Sequence, residues 1–441
     1  MAHQWQYDNI SDNVCLYSHL RGDCNMSAYQ WHFEKQPGDR IMAFRRETQA
    51  DNFTDSRKPK EMTDKTVPVV VIATGVMNAG GTESLIMETF RHRSERVRYV
   101  LLIHRNCDKQ DGLYDNEIHR LGIEVKYIGS IGSLGVRGYI KAFTKAMAEI
   151  GHVDIVHSHL NASGGIIALA AKKCGIKYRI CHCHADIRYP GGMIQRLKSE
   201  ISLMVMKAFI EMFATERWAC SQAAWNRLFM PWRRRMVVNN MIDTCKYLTT
   251  NGKRCNAKER FGLKDKFIVG AVGRVAPIKN YECVLKAIVC TEAHFVCFGR
   301  FDANNSYCKS LIDLSDNLGI SNQVHWLGNS NDVCRDIHCI DLFVMPSLTE
   351  GFGMAAIEAQ AASIPSILST GVPHRVDVGL ELVKFANPEN SDEWHKAIIN
   401  FTPSPILPDN EILQAFRNKG FDSVLAVEHI ENQYISLTKD K

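Results

Sequence analysis

The chain has 441 residues, 45% of them hydrophobic and 23% charged, a composition that fits roughly two or three globular domains and excludes a disordered or fibrous chain. The net charge of +5 is dispersed; it suits phosphate-bearing ligands or an anionic membrane surface and, without an aromatic RNA-binding motif or zinc-finger spacing, does not point to nucleic acid. Fifteen irregularly placed cysteines, no leader-like start and no uncharged apolar run of about eighteen residues point to a cytoplasmic protein with free thiols, resting at most on the inner face of a membrane.

Residues 1–65 carry aromatics such as Trp5, Tyr7, Trp31 and Phe33 at no steady period and end in a charged stretch. They read as an extension of unknown role. From Val67 the pattern changes. The β-branched run 67–73 suits a buried parallel strand, and a glycine loop containing Gly80 and Gly81 leads from it into a helical pattern near Thr82. Strand-like runs follow at 99–104, 124–128, 154–157 and 178–183, alternating with helical stretches at 113–121, 138–150 and 163–173. Such alternation means βαβ units and a parallel sheet. A long helical pattern at 193–214 leads to short strands near Trp218 and 236–238.

A polar stretch at 241–262 marks a boundary, and a second series begins at Phe267. Strands are expected at 267–272, 294–298, 324–327, 342–345 and 366–368, with helices at 280–289 and 306–318 and a helical pattern at 411–437. The architecture expected is two Rossmann-like, doubly wound halves facing across a cleft, with the extension at 1–65, an acceptor half at 66–245, a donor half at 246–405 and terminal helices at 406–441 packing back over the hinge. In such sheets ligands sit beyond the carboxyl ends of the strands.

Residues 346–358, PSLTEGFGMAAIE, carry the strongest chemical signal. An apolar strand, a turn through Gly351-Phe352-Gly353 and a helix start near Phe352 form an anion-binding layout. Glu350 precedes the turn and Glu358 lies within the helix, about 8–10 Å apart along its axis, the reach of a folded nucleotide-sugar. One carboxylate would accept from sugar hydroxyls and the other from a ribose diol. At the matching place after strand 267–272, Arg274 offers a fork and Lys279 a point charge suited to a diphosphate; the alternative is two surface cations at a helix start. Gly80-Gly81, in the first half, lets the backbone approach a bound group, or is simply a turn.

His157 and His159 would share one strand face, with His159 farther into the cleft as a partner for a sugar hydroxyl or an acid–base group. The run Cys181-His182-Cys183-His184 splits by alternation into two thiols on one face and two imidazoles on the other, so no metal is expected. His184 is kept as an acceptor-side candidate. The apolar residues of 193–214, with Trp232 and Arg233-Arg234-Arg235 nearby, suit peripheral contact with a membrane or packing on the chain's own sheet.

Together AGGTES (79–84), DIVHSHL (154–160), VNNMIDTCKY (238–247), GRVAPIKN (273–280) and EGFGMAAIE (350–358) resemble glycosyltransferase family 4, the retaining group with the GT-B fold, over about residues 67–400. The likeness is greatest to enzymes of bacterial surface-polysaccharide assembly. It implies transfer of a sugar from a nucleotide-sugar donor, UDP- or GDP-linked, to a glycan or lipid-linked acceptor, without a separate cofactor. It also implies that Arg274 and Lys279 neutralise the diphosphate, that Glu358 reads the ribose, and that Glu350 with the amides of Phe352 and Gly353 holds the sugar. His159 would lie near the reacting carbon, with Gly80-Gly81 close to the phosphates or the acceptor. The extension and Gly371–His374 (GVPH) fall outside that pattern. The rival readings are a nucleotide-sugar epimerase or hydrolase on this fold, and a non-catalytic scaffold of polysaccharide assembly.

Overall fold

The structure, a computed structural model, describes residues 67–78, 80–105, 112–184, 192–248, 253–403 and 405–439. The N-terminal extension and Ala79 of the first glycine loop lie outside the described residues. Pro68–Arg233 and Val237–Lys441 form one compact unit.

Its first half runs β1 (Val69–Thr74), α1 (Gly81–Arg91), β2 (Arg98–His104), α2 (Asp115–Arg120), β3 (Glu124–Ile128), α3 (Ile131–Ile150), β4 (Ile155–Ser158), α4 (Gly164–Lys173), β5 (Tyr178–Cys183), α5 (Met193–Phe213), β6 (Glu216–Ala219) and α6 (Gln222–Leu228). The second runs α7 (Lys253–Arg260), β7 (Phe267–Val272), α8 (Tyr281–Ala287), β8 (Ala293–Phe298), α9 (Ser306–Asn317), β9 (Val324–Gly328), α10 (Val333–Asp336), β10 (Leu342–Met345), α11 (Met354–Ala361), β11 (Ser366–Ser369), β12 (Val383–Ala386) and α12 (Ser391–Ile399). The helices α13 (Asp409–Lys419) and α14 (Ser423–Lys439) follow.

The strands form two six-stranded parallel sheets, ordered β3-β2-β1-β4-β5-β6 and β12-β11-β10-β7-β8-β9. Counted within each half, both follow the order 3-2-1-4-5-6, the doubly wound arrangement whose switch point lies between the first and fourth strands. Both faces of each sheet are covered, which is why the strands read as unbroken apolar runs. Along β1 all six residues are buried, and Val69, Val71 and Ala73 pack with Phe143 and Ala171 on one face. In the second sheet Ile268 and Phe343 face one cluster while Val269 and Val344 face the other.

Several boundaries differ from the sequence reading, each for a local reason. Gly353 takes φ +98° ahead of α11, so the helix begins at Met354 rather than Phe352, and Glu358 sits in its second turn. α3 extends back to Ile131 through a break at Gly135, φ +64°. The stretch 236–238 is not a strand; it makes only an isolated bridge between Ala219 and Val237. The single terminal pattern is two helices separated by Gly420 at φ +69°. α13 buries Ile412 and Phe416 in the second half. α14 crosses to the first, where Glu431 accepts from Ser94 N (2.9 Å) and Tyr99 Oη (3.3 Å). The two crossings run side by side: Ile242 N donates to Phe421 O and Ser423 N to Ile242 O, both at 2.9 Å. Among the described residues no helix is long and apolar enough to cross a membrane.

Candidate active site

The site is built from loops at the carboxyl ends of the central strands of both sheets. After β7 the chain turns through Gly273, φ +148°. A Cβ on Gly299 of the neighbouring strand would fall 1.9 Å from Gly273 O, so glycine there is what lets the two strand ends close up. Asn280 closes the loop in a left-handed conformation (φ +54°), its Nδ2 donating to Pro346 O at 3.2 Å and Pro388 O at 2.8 Å. Lys279 is thereby aimed at the loop after β10, where its Nζ donates to Glu350 Oε1 at 2.6 Å. Ser347 Oγ donates to the same oxygen at 2.7 Å. Arg274 is exposed at the mouth.

The loop carrying Glu350 is tightly fixed. Glu350 N donates to Gly371 O (3.0 Å) and Leu348 N to Ile278 O (2.9 Å). Any Cβ on Gly371 would stand 2.3 Å from Leu348 O and 2.8 Å from Ser347 O, which gives the segment at 371–374 its structural role. Phe352 is core: it is 3% exposed, meets Phe421 edge-on at 5.4 Å and carries the Arg375 guanidinium 5.6 Å above its ring. Arg375 in turn donates to Cys220 O at 3.1 Å and to Asn239 Oδ1, tying the second half to the first. Among the described residues the N–H groups of Phe352, Gly353 and Met354 have no acceptor, so the start of α11 presents open donors beside Gly351 and Glu350.

The first half faces this loop. A Cβ on Gly81 would meet Met354 Cγ at 3.3 Å, and one on Gly80 would strike Glu83 Oε2 at 2.3 Å. The Glu83 carboxyl therefore lies over the start of α1. Burial raises its pKa, against its own N–H and the Arg274 charge, which lower it. Glu83 and Arg274 thus feel each other across the cleft. Nothing in the sequence spacing singled out Glu83; its place three residues after Gly80 is the signal that was available.

Glu358 is half-buried beside the Tyr247 hydroxyl. Burial, helped by the Glu88 charge and opposed by Tyr247, pushes its carboxyl up to about 7. Glu88 belongs to a charged cluster at the hinge. His92 Nε2 lies 3.3 Å from Glu88 Oε2 and 3.6 Å from Asp243 Oδ2, with Lys246 Nζ 3.1 Å from Asp243. Burial opposes charge on His92, but Asp243 and Glu88 overcome it and raise its pKa to about 9. Asp243 is likewise penalised by burial, yet His92 and Lys246 lower it to about 2.

His159 follows β4 and His184 follows β5, as their strand positions require. Both are buried, at 5% and 8% exposure, and they bond each other, His159 Nδ1 to His184 Nε2 at 2.8 Å. His184 is thus a partner of His159 rather than an open acceptor-side group. Its backbone N–H donates to Asn161 Oδ1 at 2.8 Å. Cys181 and Cys183 do point to the opposite face, into an apolar cluster with Leu203 and Ile210.

Residues 254–419 match the family model described as glycosyl transferases group 1. The Bacillus subtilis protein EpsF, named as a glycosyltransferase, is 29% identical over 374 residues, covering 82% of this chain and 96% of EpsF. The Escherichia coli UDP-Gal:alpha-D-GlcNAc-diphosphoundecaprenol alpha-1,3-galactosyltransferase is 26% identical over 308 residues, 65% of this chain and 76% of that enzyme. HepE of Anabaena, solved in complex with UDP and glucose, superposes with a TM-score of 0.69 over 84% of this chain and all of its own, at 19% identity. With its paired doubly wound sheets the chain has the GT-B fold, and its second half resembles the group 1 glycosyltransferases.

Proposed function

We propose that this protein is a retaining glycosyltransferase that moves a hexosyl group from a nucleotide diphosphate sugar, UDP- or GDP-linked, to a glycan or lipid-linked acceptor in polysaccharide biosynthesis. The observation that carries the reading is the convergence of loops from both halves: Gly81 against Met354, Glu83 across from Arg274, and Lys279 paired with Glu350 beside the open N–H groups of α11. Arg274, Lys279 and those donors stabilise the charge that develops on the leaving diphosphate. Glu350, oriented by Lys279 and Ser347, accepts from the sugar hydroxyls together with the amides of Phe352 and Gly353, and Glu358 accepts from the ribose. His159, through the nitrogen that His184 leaves open, meets the sugar near its reacting carbon. Gly80 and Gly81 leave room for the phosphates.

In the transfer the bond from C1 to the diphosphate oxygen breaks, a bond from C1 to the acceptor oxygen forms on the same face, and the acceptor proton passes to the departing phosphate. The E. coli relative, named for an alpha-1,3 product from UDP-Gal, supports such a donor and a diphosphoundecaprenol type of acceptor. The cations at the diphosphate make a metal there unnecessary.

The acceptor reading fits α5. Ile194, Leu197, Ile201, Met204 and Val205 are between 47% and 72% exposed along one stripe. Glu200 and Glu211 are paired with Arg227, Arg217 and Arg233, while Arg196 and Lys198 stay exposed. An apolar stripe flanked by cations suits the anionic inner face of a membrane. Sedimentation with phosphatidylglycerol vesicles at physiological salt should carry the protein down, and phosphatidylcholine vesicles should not; protein left in the supernatant with both removes this contact.

The function is tested by incubating purified protein with UDP- and GDP-sugars and a lipid-diphosphate sugar acceptor, then reading the anomeric coupling of the product by NMR. An alpha-linked product from an alpha-linked donor is expected. An inverted product overturns retention, and complete donor hydrolysis or epimerisation without acceptor overturns transfer.

A further inference from the structure

Four imidazoles crowd one face of the first sheet beneath α1 and α14. His157 and His159 come from β4 and its end, and His182 and His184 from β5 and its end, with ring centroids 4.0–5.2 Å apart between neighbours. All four are buried, His157 and His182 at 2% and 1% exposure. No apolar core requires four histidines stacked together, and their hydrogen bonds do not close. Tyr434 Oη bonds His157 Nδ1 at 2.5 Å, and His157 Nε2 bonds His182 Nδ1 at 3.1 Å. That leaves His182 Nε2 buried with no partner. Whichever tautomer runs along the chain, one ring nitrogen ends unsatisfied, a costly outcome in an interior.

We infer that His157, His159 and His182 form a buried binding site for a divalent transition-metal ion of the zinc type. One ring nitrogen from each lies within 4.8 Å of the other two. In a tetrahedral zinc site with bonds of about 2.0–2.1 Å, ligand nitrogens stand about 3.4 Å apart. From separations within 4.8 Å, the three nitrogens close by no more than about 1.4 Å to reach that spacing. The three rings line a cavity of about 10 Å³ together with Ile72, Phe90 and Tyr434, room for one ion or one water.

The outer partners suit the role. A ligating histidine typically bonds its far nitrogen to a second group that fixes its orientation. Tyr434 does this for His157 Nδ1 and His184 for His159 Nδ1. That leaves His159 Nε2 for the ion beside the unpartnered Nε2 of His182, while His157 Nε2 exchanges its bond to His182 Nδ1 for the ion. The thiols of β5 point away, so the ligands are imidazoles alone. A consequence resting on the proposed function follows: the ion takes the His159 nitrogen assigned to the donor sugar, so its binding inhibits transfer.

The test uses the full-length protein titrated with Co(II) and Zn(II). One equivalent of Co(II) should give the intense visible bands of tetrahedral nitrogen coordination without thiolate charge transfer, and X-ray absorption of the zinc form should show a nitrogen shell. His157→Asn and His182→Asn should each lose that equivalent while keeping the wild-type circular dichroism. Equal binding by wild type and both variants, or a sulfur shell on bound zinc, overturns the site, and the absorption measurement on wild type decides the matter even where a variant fails to fold. Zn(II) should raise the donor KM at least tenfold in wild type and leave it unchanged in His182→Asn. If the cobalt site is present and no transfer is seen under any condition, the proposed function fails and the metal site stands.

Discussion

Donor binding should weaken sharply just below neutral pH, and Glu358 sets where. Its carboxyl, pushed up to about 7 by burial and the Glu88 charge, must be ionised to accept from two ribose hydroxyls. Below that value affinity scales with the ionised fraction, so it falls about tenfold per pH unit, or about 1.4 kcal/mol. At pH 6 only roughly a tenth of the free protein is competent. The neighbouring groups do not blur this window: His92, at about 9, stays charged and Asp243, at about 2, stays ionised, while the cleft histidines stay neutral. Calorimetry should use an intact nucleotide-sugar, because its diphosphate diester does not titrate here, whereas a terminal phosphate does near pH 6. Wild type should show a break near pH 7, and Glu358→Gln should bind more weakly at pH 8 with a flat profile. A wild-type affinity independent of pH between 6 and 8, or an unaltered slope in Glu358→Gln, refutes the assignment.

Gly371→Ala forces a methyl group onto Leu348 O and should cost about 1–3 kcal/mol or more by overpacking, lowering Tm and, by displacing the Glu350 loop, activity; an unchanged Tm contradicts the geometry. His92→Ala should destabilise by roughly 1–3 kcal/mol at pH 6. Because the folded pKa is raised, this contribution is fully present below about 6.5 and is lost as pH rises through about 9, so variant and wild type should unfold alike near pH 10 in a thermal melt. Chelation with EDTA should leave the maximal transfer rate intact or raise it; a loss restored by added divalent ions would show that the diphosphate does need a metal.

The fold was legible because buried parallel strands announce themselves. β3, β5, β7 and β10 match the residue runs read from the sequence; β7 and β10 are apolar and largely buried, whereas β3 is a half-exposed edge strand read from its place in the alternation. What stayed hidden depended on partners distant in sequence. β12 is a short edge strand with an exposed lysine, and α7 has no apolar stripe, so the polar boundary concealed a helix. The break at Gly420 became visible only once α13 and α14 were seen to pack on different halves. At the site, Arg274, Lys279, Glu350 and Glu358 stand out by their place after strands, whereas Glu83, Tyr247 and Arg375 matter through contacts between segments more than a hundred residues apart, and Gly371 through its close approach to the loop at 347–350. Strand alternation paired the histidines correctly by face, but only the parallel register of β4 and β5 brings all four together.

The central claim is that cations and open N–H groups at the mouth of the second half grip a diphosphate while flanking carboxylates read what is attached to it. Thermal stabilisation of wild type, Lys279→Ala and Arg274→Ala by UDP-, GDP- and ADP-sugars tests this directly. One nucleotide class should raise the wild-type Tm and fail to do so in both variants, which keep the unliganded Tm within a few degrees. No shift with any nucleotide-sugar, or an undiminished shift in both variants, contradicts it.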